Sequence, residues 1–228
     1  MLALIMAGGY GKRLGPLTDK IPKPLIMVGN KPIIYWQIKW LERCGADRFV
    51  LLGGYRADKL VKYIKSIGYW DRFQFSIEKK PLGSAGAIRN AHRFLEGDRS
   101  FLVVNGDNVT NLDARRLKLQ KGRLACLALI PYRSSKGLVK FRGDVVTSLE
   151  EKPIMEGYWF NGGVLMLSKD ILRMLPKEGS LESEVFPKLS KNRKLSCVRF
   201  GGSYFNSVDS LKDLEDINRD MLLGRIKF

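Results

Sequence analysis

The sequence predicts a Rossmann-like α/β fold, a mixed and mainly parallel sheet flanked by helices. Three observations predict it. Short apolar runs rich in β-branched and aromatic residues alternate with stretches whose apolar residues recur at three- and four-residue spacing. The stretches between runs are long enough to be crossover helices, which join parallel strands. A glycine-rich segment, residues 8–15, follows the first apolar run directly, and so falls at the carboxyl end of a strand.

The expected strands of the first part are Leu2 to Met6, Phe49 to Leu52, Phe73 to Ile77, Phe101 to Asn105 and Ala125 to Ile130. Between them, helices are expected over Lys31 to Cys44, Asp58 to Ile67 and Ser84 to Leu95. In the first of these, Pro32 suits an early helical position and Gly45 a C-terminal cap. After Pro131 the rhythm changes. Leu138 to Phe141, Val145 to Leu149 and Tyr158 to Leu167 read as strands joined by glycine-containing turns, which predicts hairpins added to the sheet as the floor of a second pocket. Helices at Lys169 to Leu175 and Glu182 to Leu189, a strand at Leu195 to Arg199 and a closing helix from Ser210 to about Leu222 complete the chain. The expectation is one domain over residues 1–228, in two parts, residues 1–130 and residues 131–228.

Composition narrows the chemistry. At 228 residues and 45% hydrophobic content the chain can bury a substantial core. Its opening apolar run is too short for a signal peptide or a membrane span, and no other run approaches 18 residues, so a soluble cytoplasmic protein without a membrane partner is expected. Cys44, Cys126 and Cys197 are far apart, and His92 is the only histidine, so neither a disulfide framework nor a Cys/His zinc site is expected. The net charge of +17 favours anionic partners, but the basic residues are spread along the chain, as on a solvated surface. Composition leaves the oligomeric state open, a homo-oligomer included.

The glycine-rich loop runs Ala7-Gly8-Gly9-Tyr10-Gly11-Lys12-Arg13-Leu14-Gly15-Pro16-Leu17-Thr18. Glycines let backbone N–H groups reach phosphate oxygens, and Lys12, Arg13 and Lys23 supply the opposite charge. Two better-known loops do not fit. A dinucleotide fingerprint needs glycine where Leu14 stands, and a Walker A loop needs Ser or Thr where Arg13 stands.

The string Gly-Gly-x-Gly-x-Arg-Leu, followed by Pro-Leu-Thr and by Pro22-Lys23-Pro24, resembles the signature of the sugar-1-phosphate nucleotidyltransferase family. Further stretches occur in that family's order. Pro81-Leu82-Gly83-Ser84-Ala85-Gly86-Ala87 resembles its base-contacting loop, Asn105-Gly106-Asp107-Asn108 the segment whose aspartate binds Mg²⁺, and Asp209 a second metal-binding aspartate. Glu150-Glu151-Lys152-Pro153 resembles the sugar-site motif, in which Glu151 holds sugar hydroxyls and Lys152 the sugar phosphate, and Phe160-Asn161-Gly162-Gly163 resembles a further sugar-contacting turn.

The resemblance implies Mg²⁺ on Asp107 and Asp209, with Arg13, Lys23 and Asp107 as the catalytic residues. The nucleotide falls to Ala7, Gly8, Gly9, Gly11, Lys12, Arg13, Lys23, Glu78, Pro81, Gly83, Ser84 and Asp107. Asn108, Gly137, Glu151, Lys152, Asn161 and Gly162 fall to the sugar phosphate. Many larger relatives carry a C-terminal β-helix that this chain is not expected to contain. Pro-Leu-Gly-Ser-Ala-Gly-Ala with Asn-Gly-Gly-Val looks most like mannose- and heptose-1-phosphate guanylyltransferases, and a carboxylate at Glu78 suits guanine N1–H and its N2 amino group. GTP and a sugar 1-phosphate are therefore the expected substrates. Alternatives are UTP or dTTP with glucose 1-phosphate, cytidylyl transfer to a non-sugar phosphate, and a non-catalytic basic nucleic-acid-binding module. No nucleic-acid motif is present, so no such partner is expected.

Overall fold

The computed structural model describes residues 1–226; Lys227 and Phe228, the end of the expected domain, lie outside the described residues. The chain opens with β1 (Leu2–Ala7), a 3₁₀ turn at Lys12–Leu14, and α1 (Pro16–Asp19). A second 3₁₀ turn at Lys23–Leu25 leads to the short strands β2 (Met27–Val28) and β3 (Lys31–Pro32). Then follow α2 (Ile33–Arg43), β4 (Arg48–Gly53), α3 (Ala57–Ser66), β5 (Phe73–Ile77), α4 (Gly83–Asn90), β6 (Ser100–Asn105) and β7 (Asn108–Thr110). The second part holds β8 (Ala125–Arg133), β9 (Leu138–Arg142), β10 (Val145–Glu150), β11 (Ile154–Ser168), α5 (Phe186–Lys191), β12 (Leu195–Arg199), β13 (Phe205–Ser207) and α6 (Leu211–Leu222).

Seven strands form one sheet in the order β12-β8-β11-β6-β1-β4-β5. Four neighbouring pairs are parallel, and the two made by β11 are antiparallel, which is the mixed, mainly parallel sheet expected. The chain moves outward from β1 through β4 to β5, then returns to lay β6 on the other side of β1. Strand order therefore reverses between β1 and β6, and a crevice opens at their carboxyl ends.

Strands in this position are covered on both faces, which explains why β1 reads as an unbroken apolar run, Leu-Ala-Leu-Ile-Met-Ala. Ala3, Ile5 and Ala7 enter the core under α2 and α3, with Ile34, Ile38, Leu41, Leu60 and Ile64. Leu2 and Leu4 enter the opposite core, with Ala85 and Ile88 of α4 and Leu189 of α5. In α2 the buried positions Ile34, Ile38 and Leu41 follow the helical period. Gly45 closes that helix with φ of +87° and its N–H on the Glu42 carbonyl, as the sequence implies.

Three expectations are corrected. The helix expected over Ser84 to Leu95 ends at Asn90 and continues as a 3₁₀ turn, His92–Leu95, in which Ala91 N–H is shared between the Ala87 and Ile88 carbonyls. The helix expected over Lys169 to Leu175 is a 3₁₀ turn capped by Ser168. The third, Glu182 to Leu189, begins as a π-helical turn, Leu181–Val185, before α5. Pro187 has no N–H to give the Ser183 carbonyl, which removes the i→i−4 bond there.

The hairpin differs most. β9 and β10 do not extend the main sheet; they form a two-stranded sheet of their own, exposed along its whole length. Its register puts Phe141 opposite Val146 and Val139 opposite Leu149 on one face, and Lys140 opposite Ser148 on the other. β11, at 15 residues, is the strand that joins the sheet, and only its inner half is buried. Among the described residues no helix is long and apolar enough to cross a membrane.

Leu51 of β4 is fully buried and Phe141 of the hairpin is 72% exposed. Leu51→Ala is expected to cost about 2–5 kcal/mol, and Phe141→Ser to stay within about 0.5 kcal/mol. Urea unfolding monitored by circular dichroism measures both; comparable losses would show the hairpin to be part of the core.

Candidate functional site

The glycine-rich loop takes its shape from one buried hydroxyl. Gly11 has φ of +65° and opens the 3₁₀ turn Lys12–Leu14. Thr18 Oγ1 lies 3.1 Å from the carbonyls of both Gly11 and Gly15, so its single proton closes the loop from inside. A Cβ on Gly11 would come within 2.9 Å of Thr18 Cγ2. The chain is thereby turned so that residues 8–13 line the crevice at the end of β1.

Asp107 sits just past β6, and Asp209 lies 102 positions further along the chain. What brings them together is a short antiparallel ladder between β7 and β13, with Ser207 opposite Asn108. Val208 N–H continues it to the Asp107 carbonyl at 3.1 Å. Both carboxylates then meet one ammonium: Lys23 Nζ is 2.5 Å from Asp107 Oδ2 and 2.8 Å from Asp209 Oδ1. Arg13 Nη2 donates to the same Asp209 oxygen at 2.9 Å, and Ser207 Oγ to the other at 3.0 Å. Burial pushes the Asp209 carboxyl up, but the bonds and charges of Lys23, Ser207 and Arg13 outweigh it and hold the group below the ordinary carboxylate range.

The Asp107 turn is held from beneath by Gln37, a buried residue of α2. Its Nε2 donates to the Asn105 carbonyl at 2.7 Å and to the Asn108 carbonyl at 3.0 Å, while its Oε1 is buried without a partner.

Across the crevice, Glu78 follows β5. Its Oε2 accepts from Leu82 N–H at 3.1 Å, and its Oε1 lies where a Cβ on Gly8 would come within 2.6 Å. Burial pushes the Glu78 carboxyl up, and the Leu82 bond opposes the shift. The loop from Pro81 to Ser84 is buttressed by Gly179, which donates to the Leu82 carbonyl and accepts from Ala85 N–H. The Ser84 hydroxyl is committed within the protein, donating to Glu182 Oε2 at 2.9 Å and accepting from Leu181 N–H at 2.7 Å.

These elements enclose a cleft of about 470 Å³. It is lined by Ala7, Gly8, Gly9, Gly11, Lys12, Arg13, Lys23, Glu78, Pro81, Gly83, Ser84 and Asp107, all the residues the sequence assigns to a nucleotide, and by Asp209.

The nucleotidyl transferase family model matches residues 2–223. The chain belongs to this family. It is 31% identical over 203 residues to the D-glycero-alpha-D-manno-heptose 1-phosphate guanylyltransferase of Campylobacter jejuni, covering 87% of this chain and 90% of that one. It is 33% identical over 226 residues to the mannose-1-phosphate guanyltransferase of Debaryomyces hansenii, 93% of this chain but 62% of the relative. Relatives named for cytidylyl transfer match as well. Among solved structures, HddC from Yersinia pseudotuberculosis complexed with GMP-PN superposes with a TM-score of 0.74 at 26% identity, covering 96% of this chain and 99% of that one.

Within this nucleotidyl transferase the residues expected on the acceptor side are not among those lining the cleft. Gly137, Glu151 and Lys152 gather beside the hairpin: a Cβ on Gly137 would meet Glu151 Oε2 at 2.8 Å, and Glu151 Oε1 is 3.9 Å from Lys152 Nζ. Lys152 has φ of +48° directly before Pro153, an unusual conformation for a side-chain-bearing residue. Arg133 holds its carbonyl at 2.9 Å. Asn161 Oδ1 accepts from Gly163 N–H at 3.0 Å, at the irregularity of β11. Asn108 is buried, and its amide donates to the Gly162 carbonyl at 2.8 Å, so this side chain braces the site rather than facing a ligand.

Sequence reasoning missed Gln37, Ser207 and, in the lining, Leu52; Tyr10, Asn105 and Gly106 were quoted in its motifs but given no role. A signal for Gln37 existed: it is the one uncharged polar side chain within Ile-Ile-Tyr-Trp-Gln-Ile-Lys-Trp-Leu, on the buried face.

Because the Asp209 carboxyl is held low in the folded chain, it stabilises the fold above the ordinary carboxylate range and that contribution disappears as pH falls through its folded-state value. Asp209→Asn is expected to flatten the acid limb of stability against pH. Thermal melts between pH 7 and pH 3 check this, and an unchanged acid limb would remove Asp209 from the ion-pair cluster.

Proposed function

We propose that the chain transfers a nucleotidyl group from a nucleoside triphosphate to a sugar 1-phosphate, giving an NDP-sugar and pyrophosphate, with GTP and mannose or heptose 1-phosphate as the favoured pair. The observation that carries this reading is the meeting of the glycine-rich loop, Lys23, Asp107, Asp209 and the Glu78 loop around one cleft, in a chain whose relatives carry guanylyltransferase names. Residues 1–130 hold the nucleotide, and residues 131–228 hold the acceptor and contribute Asp209.

A phosphate oxygen of the sugar phosphate attacks the α-phosphorus, and pyrophosphate departs in line. The second pKa of such a phosphate is about 6, so the nucleophile is already anionic and no protein base is needed. His92 agrees with this, since its ring faces the Arg89 carbonyl on an exposed turn. The task of the protein is to bring two polyanions together and to stabilise charge on the leaving group.

Loop amides of Gly8, Gly9 and Gly11 lie against the triphosphate, with Lys12, Arg13 and Lys23 supplying positive charge. Arg13 is 76% exposed at its side chain, free to move from Asp209 onto the β- and γ-phosphates. Glu151 and Lys152 hold the sugar hydroxyls and phosphate; the restrained backbone at Lys152 supports this role.

Among the described residues no group of three or more His, Cys, Asp or Glu side chains is arranged for a metal. Asp107 and Asp209 nonetheless converge on a single cation, Lys23 Nζ, and two hard carboxylate ligands completed by phosphate and water suit Mg²⁺. Mg²⁺ bound there would supply charge neutralisation of the phosphates.

For the base, a carboxylate at Glu78 suits guanine N1–H and the N2 amino group, whereas uracil and thymine offer one such donor. Purified protein assayed with GTP, UTP, dTTP, CTP and ATP against a panel of sugar 1-phosphates is expected to favour GTP; a clear preference for UTP, dTTP or CTP would falsify the guanylyl assignment. Arg13→Ala is expected to lower turnover about 100- to 1,000-fold with an unchanged melting temperature. Near-normal turnover would exclude Arg13 from contact with the leaving group.

A further inference from the structure

Lys23 is bound where a divalent cation would be expected. Its ammonium makes close ion pairs with Asp107 and Asp209 together, and its side chain is 14% exposed, against 24% and 31% for the two carboxylates. Two half-buried carboxylates reaching the same point repel each other, and this ammonium is what offsets the repulsion. Arg13 adds a second cationic donor to Asp209 Oδ1.

We infer that Lys23 is a displaceable counter-ion: it fills the space between Asp107 and Asp209 while the nucleotide is absent, and leaves it for the triphosphate, so that divalent-cation binding depends on nucleotide. The inference rests on reading Asp107 and Asp209 as the metal-holding pair.

The physical argument is one of competition. An ammonium and a divalent ion cannot share the same two carboxylate oxygens. Displaced with nothing to receive it, the Lys23 charge would be left half-buried and unpaired, which is strongly unfavourable. A triphosphate in the cleft removes that obstacle, because it offers anionic oxygens on the side of the glycine loop. The root of Lys23 already lies there: its Cβ is 3.5 Å from where a Cβ on Gly11 would stand. The flexible four-carbon stem carries the charge from one set of anions to the other without movement of the backbone. Arg13 follows the same course, since among the described residues Asp209 is the carboxylate it pairs with.

Two consequences follow. Metal alone is held weakly, because it must expel Lys23 into a cleft with no phosphate to receive it. By linkage, nucleotide and metal strengthen each other's binding by the same factor. The carboxylate pair is also kept neutralised between turnovers, which protects the β7–β13 junction from self-repulsion.

The test measures Mn²⁺ binding to the full chain by electron paramagnetic resonance of free Mn²⁺, with and without a non-hydrolysable GTP analogue. Without nucleotide, Lys23→Met is expected to bind Mn²⁺ on the order of 10- to 100-fold more tightly than the unaltered protein, and Lys23→Arg, which keeps the charge, to remain weak. The gain should vanish in the Lys23→Met/Asp107→Asn double variant. Equal Mn²⁺ affinity in Lys23→Met and the unaltered protein would overturn the inference. Should Lys23→Met fail to fold, Lys23→Gln and the Mn²⁺ dependence of its melting temperature give the same comparison, with stabilisation by Mn²⁺ expected in the variant and not in the unaltered protein. The underlying metal reading is judged separately: with the analogue bound, Mn²⁺ affinity of the unaltered protein should fall in Asp107→Asn, and if it does not, the metal lies elsewhere whatever Lys23 does.

Discussion

The site depends on holding two like charges together at the mouth of the β1/β6 crevice. Asp107 and Asp209 are placed by backbone hydrogen bonds, the β7–β13 ladder and the Val208 bond to the Asp107 carbonyl, so they cannot separate to relieve their repulsion. Lys23 and Arg13 balance them charge for charge. This arrangement explains several local features at once. The Lys23 backbone needs a fixed 3₁₀ turn, which Pro22 and Pro24 supply on either side. The Asp107 turn needs a clamp, and Gln37 provides it at the expense of an unpaired oxygen.

Much of the nucleotide side was legible from sequence because its chemistry is local. The glycine loop, Pro22-Lys23-Pro24 and Pro81 to Ala87 are contiguous strings at strand ends, and the α/β alternation says where strand ends lie. Asp209 is different. Nothing in composition or periodicity singles it out, since β7 and β13 are three residues each, too short to produce a period. Only the resemblance pointed to it. Gln37 escaped for a different reason: a polar residue on the apolar face of an amphipathic helix has no evident task until its amide is seen to reach two carbonyls.

The second part was read less well, and the cause is again physical. Alternation predicts a strand but not the sheet it joins. The apolar residues of β9 and β10 led to an expected place in the main sheet, whereas pairing with each other satisfies their ladder and leaves both faces in solvent. Asn108 shows a related limit. An amide at a strand end is equally suited to a ligand or to a backbone carbonyl, and here a buried neighbour, Gly162, takes it.

These differences divide the molecule into a stiff half and a soft one. The residues proposed for the nucleotide are anchored to β1, β4, β5 and β6, whose side chains fill two cores on either side of the sheet. Of those proposed for the acceptor, Gly137, Glu151 and Lys152 flank a two-stranded sheet that makes no comparable burial, a structure of marginal independent stability, whereas Asn108 belongs to β7 and Asn161 and Gly162 to β11. Rigidity belongs where Arg13, Lys23, Asp107, Asp209 and a phosphate chain must be aligned, because electrostatic stabilisation falls steeply with misplacement. Softness is tolerable at Glu151 and Lys152 where, on the proposed function, acceptor binding supplies the order that the hairpin lacks.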